Sequence, residues 1–221
     1  MRPLLAALCL VCLWTAPLRA ETLASIHELA QHPRIQKYIY DKTAYGELYK
    51  LGKEQDKRLG LAQGCSGNTG VTIKGLILLE PIDFPEGAAH PVKGAWQYRY
   101  DLTRCGEAKI YNAVAVAQKG GAAPVMRSYF PGNSRANLVL VRDAMVPATA
   151  AAAMTAKPDK ACRKIDVLDM RVTQEPESTG RKPWQEIWTF SFCGKQGATE
   201  ITFTPDAEGP GTTFHAKPAD R

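Results

Sequence analysis

Two stretches of this chain share one pattern of rare residues, and that pattern restricts the fold more than any other feature. Each stretch begins with Trp-Gln and ends, after seven intervening residues, with Cys-Gly. The pairs are Trp96-Gln97 with Cys105-Gly106, and Trp184-Gln185 with Cys193-Gly194. A joint match of tryptophan and cysteine over an offset of 88 residues predicts two copies of one structural module. We call each stretch a cassette.

The residues inside each cassette alternate between apolar and polar. In the first, Trp96, Tyr98, Tyr100 and Leu102 alternate with Gln97, Arg99, Asp101 and Thr103. Period two predicts a half-buried strand whose aromatic face lies in the core. Because Trp and Cys are nine positions apart, an odd number, we expect each Cys to end its strand on the opposite face. Gly106 and Gly194 then allow a tight turn or a bulge.

The second cassette has one unusual member on its aromatic face. Trp184, Trp188, Phe190 and Phe192 share that face with Glu186. Lone carboxylates are seldom buried, so we expect Glu186 to lie near solvent at the strand end. The first cassette has Tyr98 at the corresponding position.

The first 20 residues have the pattern of a secretory signal peptide. Arg2 precedes an apolar run from Leu4 to Trp14, and Ala20 supplies a small residue for cleavage. Loss of this segment lowers the formal net charge from +6 to +4 and removes Cys9 and Cys12. With no Asn-x-Ser/Thr sequon present, we expect a periplasmic or secreted protein, cleaved near Ala20, with no integral membrane segment in the mature chain.

Four cysteines then remain in an oxidising compartment, which predicts two disulfides. The repeat favours one within each module, Cys65–Cys105 and Cys162–Cys193. Loops of 40 and 31 residues give about 4 kcal/mol of stabilisation each in the loop-entropy model. Neither pair is Cys-x-x-Cys, so the spacing argues against thiol-redox catalysis.

The whole pattern predicts an α+β fold: N-terminal helices followed by two disulfide-stapled antiparallel β modules. We place a helical segment at 21–63, a first β-rich repeat at 64–142 and a second at 162–221. The sequence of residues 137–142, NLVLVR, reads as a strand of the first repeat. Between the repeats lies an Ala-rich segment, 143–161, for which a helix and a linker remain open.

No catalytic, cofactor-binding or metal-binding pattern emerges from the chain. The histidines, His27, His32, His90 and His215, share no metal-ligand spacing. Ser66 in GCSG lacks the second glycine of a nucleophile elbow, because Asn68 stands there. The mild, interspersed basic excess does not indicate a nucleic-acid reader.

These observations favour a non-catalytic, exported binding or accessory protein, with another envelope or secreted protein as its partner. Two alternatives remain open. One is a hydrolase whose site forms between the two repeats, using His90 or His215 with a nearby acid. The other is an inhibitor of an exported enzyme, acting through a protruding loop at 80–94 or 129–135.

Overall fold

The computed structural model describes residues 21–61, 69–176 and 182–219. The chain enters through strand β1 (Glu21–Leu23) and a 3₁₀ helix (Ile26–Gln31), followed by α1 (Pro33–Ile39) and α2 (Lys42–Arg58). Asp41 caps α2 by accepting a 2.7 Å hydrogen bond from the Ala44 amide, as an N-cap aspartate should. The predicted signal peptide and Cys65 lie outside the described residues.

A five-stranded antiparallel sheet forms the first half of the fold. Its strands are β1, β2 (Thr69–Phe84), β3 (Lys93–Arg104), β4 (Glu107–Val116) and β5 (Val125–Tyr129), in that spatial order. The aromatic face of β3 packs under the helices, with Trp96, Tyr98, Tyr100 and Leu102 all buried. The expectation that this face lies in the core is therefore confirmed.

A helix and a four-stranded antiparallel sheet form the second half. They are α3 (Leu138–Ala156), β6 (Ile165–Gln174), β7 (Trp184–Phe192), β8 (Lys195–Pro205) and β9 (Thr212–Pro218), with the strands in sequential order. The core combines small α3 side chains with aromatic ones from β7 and β8. The α+β class with two antiparallel sheets is thus as predicted.

The start of α3 corrects one expectation from the sequence. Residues 137–142 are not a strand: Asn137 caps α3, and the helix begins at Leu138. The Asn137 side-chain oxygen accepts a 2.9 Å hydrogen bond from the Leu140 amide, a capping bond that outweighs the β propensity of Val139 and Val141. The open question at 143–161 resolves to helix through Ala156, and the boundary drawn after residue 142 falls inside α3.

Alanine composition lets α3 approach the second sheet closely. A Cβ atom on Gly197 of β8 would lie 2.1 Å from the Ala152 carbonyl oxygen. Any residue larger than glycine at position 197 would therefore prevent this approach. Among the described residues, α3 is the one helix whose length and hydropathy would suit a membrane span, and one of its faces is part of the second core.

Both cassettes end in the same kind of hairpin. Cys105-Gly106 joins β3 to β4, and Cys193-Gly194 joins β7 to β8, each as a two-residue turn. All four residues have positive φ, between 47° and 92°, the conformation of a type I′ turn. The expectation that each cysteine ends its strand was therefore wrong: Cys105 and Cys193 lie in the turns, one residue beyond the strand ends.

The second predicted disulfide is confirmed. Cys162 and Cys193 are bonded, with Cα atoms 5.8 Å apart, so the β7–β8 hairpin is stapled to the segment after α3. The first predicted pair, Cys65–Cys105, stays a prediction, because Cys65 lies outside the described residues.

A buried charge anchors the end of α2 to the first sheet. Asp56 is fully buried and accepts a hydrogen bond from the Tyr111 hydroxyl. Arg104 lies 3.3 Å away and supplies the opposite charge that a buried carboxylate requires. This group fixes α2 against β3 and β4, next to the first Cys-Gly turn.

Candidate binding pocket between the two sheets

The segment between β5 and α3, residues 130–137, lies between the two sheets and bonds to both. We call it the connector. The Gly132 amide donates to Ile110 of β4 at 3.0 Å, and the Asn133 amide donates to Met170 of β6 at 2.7 Å. The Asn133 side-chain oxygen accepts a 3.0 Å bond from the Val172 amide. These bonds fix the first half of the fold against the second.

Gly132 is required where the connector crosses β6. Its φ is +104°, and a Cβ there would lie 2.2 Å from the Met170 carbonyl oxygen. Both the backbone conformation and the space exclude other residues. The sequence predicted a protruding loop at residues 129–135. Gly132, Asn133 and Ser134 instead form a tight crossing between the two sheets.

The polar face of β3 is covered by the connector. Gln97 is only 6% exposed, and its amide nitrogen donates to the Asn112 side-chain oxygen at 3.1 Å. The Asn112 amide nitrogen in turn donates to the carbonyls of Phe130 (2.8 Å) and Gly132 (2.9 Å). The alternating sequence of β3 predicted an apolar and a polar face, and the strand has both. The polar face, however, is covered by the connector at Gln97, next to Asn112 of β4, and does not face solvent there.

Arg99 belongs to the same cluster and carries a charge that no carboxylate meets directly. Its Nη2 donates to the Ser134 carbonyl at 2.7 Å, and its Nε lies 3.5 Å from the Asn112 side-chain oxygen. No described carboxylate lies within 4.0 Å of it. Burial lowers the pKa of the Arg99 guanidinium, and repulsion from Arg135 adds to this effect.

Glu186 holds the connector from the other side. This carboxylate is fully buried, so the expectation of a solvent-near position was wrong. One oxygen accepts from the Arg135 amide (2.8 Å) and the Trp184 indole (2.9 Å), and the other from the Trp188 indole (2.7 Å). Three donors replace the lost water, which is what makes burial of this group tolerable.

The Arg135 side chain is neutralised at the surface. Its guanidinium makes a two-pronged contact with Glu175, at 2.8 and 2.9 Å. This bond lowers the pKa of the Glu175 carboxyl. Arg135 therefore has a partner for its charge, whereas Arg99 beside it has none in direct contact.

A cavity of about 230 Å³, which we call the junction pocket, opens beside Arg99. Its polar members include Gln97, Arg99, Asn112 and Arg135, along with Tyr129, Ser134 and Asn137. Apolar side chains from both halves complete the wall: Ile77 and Leu79 of β2, Phe130 of the connector, Leu138 and Val141 of α3, and Met170 of β6. A guanidinium beside apolar walls can bind an anionic group that is attached to an apolar body.

The structure does not bring the predicted histidines together or into this pocket. His27 and His215 are exposed, on the 3₁₀ helix and on β9. His90 lies in the β2–β3 loop and contacts the Tyr38 hydroxyl at 2.8 Å through Nδ1. Among the described residues, His32 with Glu21, at 4.0 Å, is the only histidine–carboxylate pair. Ser66 and Asn68 lie outside the described residues.

The two predicted protruding loops differ in the structure. Residues 129–135 run between the sheets, as described above. Of residues 80–94, only 85–92 form a loop, because β2 extends to Phe84 and β3 begins at Lys93. Arg34 holds this loop by donating to Ala88 at 2.7 Å and by stacking 3.8 Å above the Phe84 ring.

The residues that form the junction pocket were not predicted from the sequence. Gln97 and Arg99 were expected only as the polar side of the β3 strand, and Asn112 was not singled out. One signal was present in the sequence: Gly132 and Asn133 follow shortly after β5, in a connection to the next helix that carries no apolar periodicity. Which strand this connection would cross depends on tertiary contacts that no local pattern encodes.

Comparisons with protein-family models, with curated proteins and with solved structures found no match. The site must therefore be interpreted from its own geometry. Among the described residues, no three His, Cys, Asp or Glu side chains form a metal-ligand group.

Proposed function

We propose that this chain is an exported, non-catalytic binding protein whose ligand occupies the junction pocket. The observation that carries the proposal is Arg99: a partly buried guanidinium at a cavity wall, with no carboxylate of the described ranges in contact. Removing a cation from water costs free energy. A ligand whose charge offsets this cost is therefore expected to bind favourably at a cavity that retains such a cation. The pocket is built from both sheets, so ligand affinity depends on the whole fold.

We also propose that the two halves arose by internal duplication. Each half has a helix followed by a four-stranded antiparallel meander. Each cassette lies in the second strand of its meander and ends in a Cys-Gly turn with positive φ at both residues. These correspondences support the repeat that the sequence predicts, with β1 as an addition to the first half.

We infer that the partner is another envelope or secreted protein and that it contacts the loop at 85–92. Arg34 bonds to Ala88, and Tyr38 bonds to His90, so the loop is tied to α1 at two points. A loop that is already ordered loses less conformational entropy on binding. Localisation in the periplasm or outside the cell fits the leader sequence and the Cys162–Cys193 disulfide.

Equilibrium dialysis tests ligand binding at the pocket. Mature protein, residues 21–221, is dialysed against a cell-envelope extract, and retained compounds are identified by mass spectrometry. Ile77→Trp should fill the pocket at low folding cost, because Ile77 is 43% exposed. Val116→Trp is the matched control, equally exposed at 43% but away from the pocket.

We expect wild type and Val116→Trp to retain the same compounds and Ile77→Trp to lose them. Equal retention by all three proteins, or none by wild type, would contradict binding at the junction pocket. Turnover of a retained compound that is lost on His90→Ala or His215→Ala would favour the hydrolase instead.

A further inference from the structure

We propose that the junction pocket binds the carboxylate of a ligand that also carries an N–H donor and an apolar side chain, with Arg99 as the carboxylate-binding residue. This inference rests on the proposed function and specifies its ligand class. It uses four features of the pocket: the free donor of Arg99, the free acceptor of Gln97, the apolar wall and the start of α3.

Arg99 is already oriented for an anion. Its Nη2 is held by the Ser134 carbonyl at 2.7 Å, and its Nε lies 3.5 Å from the Asn112 side-chain oxygen, so the orientation of the planar group is restricted. Its other terminal nitrogen, Nη1, has no hydrogen-bond partner among the described residues. A fixed guanidinium with a free terminal nitrogen suits a carboxylate, because a charge-assisted bond forms without the cost of ordering the side chain.

Gln97 supplies an acceptor next to this cation. Its nitrogen is used on Asn112, and its side-chain oxygen accepts no hydrogen bond from any residue in the described ranges. Gln97 is more than nine-tenths buried and lines the pocket. A hydrogen-bond donor on the ligand would satisfy this acceptor, so the ligand should offer an N–H beside its carboxylate.

The remaining wall selects an apolar group. Ile77, Leu79, Phe130 and Met170 present carbon surface to the cavity. The first turn of α3 lines it as well, through Leu138 and Val141, and the positive end of this 19-residue helix favours a negative charge nearby. An N-acylated amino acid with an aliphatic side chain combines all three required groups in one small molecule.

The neighbouring acids do not occupy the anion position. Both oxygens of Glu186 are bonded, to the Arg135 amide and to two indoles. Glu175 lies outside against Arg135, in the two-pronged contact described above. These acids moderate the positive potential but leave the Arg99 donor free. Arg135 adds positive charge beside Arg99, as its effect on the Arg99 pKa indicates.

Two sources share this ligand chemistry: a free acylated amino acid and the C-terminus of a peptide. The probes are N-acetyl-L-leucine and its neutral isostere N-acetyl-L-leucinamide, with a pentapeptide ending in leucine, as acid and as amide. Titration calorimetry on mature protein gives affinities for each. Variants are Arg99→Gln and Arg99→Lys, with Arg127→Gln as the control that removes an exposed charge from β5.

We expect any acid that binds to do so at least tenfold more tightly than its own amide, a ratio that corresponds to about 1.4 kcal/mol. Arg99→Gln should abolish this preference, Arg99→Lys should keep part of it, and Arg127→Gln should leave it unchanged. Thermal unfolding of each variant establishes that it is folded. If only the short acid binds, the source is a free metabolite; if the peptide acid binds more tightly, it is a C-terminus.

Equal affinity of acid and amide, or unchanged acid preference in Arg99→Gln, would overturn the carboxylate proposal. The dialysis experiment separates this failure from that of the proposed function. Neutral compounds retained by wild type and lost in Ile77→Trp would leave the junction pocket as a binding site while excluding a carboxylate ligand.

Discussion

The Arg99 guanidinium donates a 2.7 Å hydrogen bond to the Ser134 carbonyl, which joins β3 to the connector ahead of α3. The same connector is held by Glu186 through the Arg135 amide. One partly buried cation from the first sheet and one buried anion from the second thus fix neighbouring residues of a single segment. Both contacts hold the segment that forms one wall of the junction pocket.

Replacing Glu186 with Gln should weaken the fold through the connector. The carboxylate accepts from both indoles, whereas an amide would turn an N–H₂ group toward one of these donors. We expect the free energy of unfolding to fall by about 1–3 kcal/mol, the usual cost of an unsatisfied buried donor. Urea unfolding followed by tryptophan fluorescence measures it. Glu107→Gln, on an exposed carboxylate, is the control; a Glu186→Gln variant as stable as that control would refute the role.

Gly197→Ala should separate α3 from the second sheet. The added methyl would overlap the Ala152 carbonyl oxygen, and overpacking of this kind costs about 1–3 kcal/mol. Gly75→Ala in β2 is the matched control, because a Cβ there meets nothing within 4 Å. Chemical denaturation of both variants decides the point. Equal stability of the two would mean that α3 does not pack as closely as the structure has it.

A non-reducing peptide map should show Cys162 joined to Cys193 and Cys65 joined to Cys105. The first pair is bonded in the structure, across 31 residues. Replacing both of its cysteines with alanine should lower the unfolding free energy by about 2–4 kcal/mol. A peptide that links Cys65 to either Cys162 or Cys193 would contradict the one-disulfide-per-module pattern.

The fold should lose stability above pH 10. Burial raises the pKa of Tyr38 to about 12 and raises the pKa of Tyr100 still further, from an ordinary value of 10.0. Because the folded pKa exceeds the unfolded one, this contribution is complete below pH 10 and is lost as pH rises toward the folded value.

Tyr100→Phe isolates this effect. The Tyr100 hydroxyl is buried and has no hydrogen-bond partner among the described residues. The variant should therefore be at least as stable as wild type at pH 7, and its stability should fall less steeply above pH 10. Denaturation at a series of pH values measures both slopes; parallel slopes would show that Tyr100 does not contribute.

Periodic and covalent features were predictable from the sequence, and contacts between distant segments were not. The alternation around Trp96 predicted a buried aromatic face, and the repeated cassette predicted the Cys162–Cys193 bond. The Cys-Gly dipeptides also carried a hairpin signal, as two turn residues between alternating strands, which the sequence analysis interpreted only as strand ends.

Burial of charge was the main error, for a physical reason. Glu186 reads as a surface residue because isolated carboxylates avoid the core. Its three donors come from Trp184, Trp188 and the Arg135 amide, and the last of these is 51 residues away in the chain. Asn137 before an apolar run also fits a helix N-cap, a signal that the strand interpretation of residues 137–142 did not use.

The location of the bound ligand tests the central claim most directly. Backbone NMR spectra of mature protein, titrated with a compound retained in dialysis or with N-acetyl-L-leucine, report which amides sense the ligand. We predict that the largest shift changes fall on Gln97, Arg99 and the connector, with no comparable change in the 85–92 loop. Shifts confined to that loop, or to any surface away from the connector, would contradict the account.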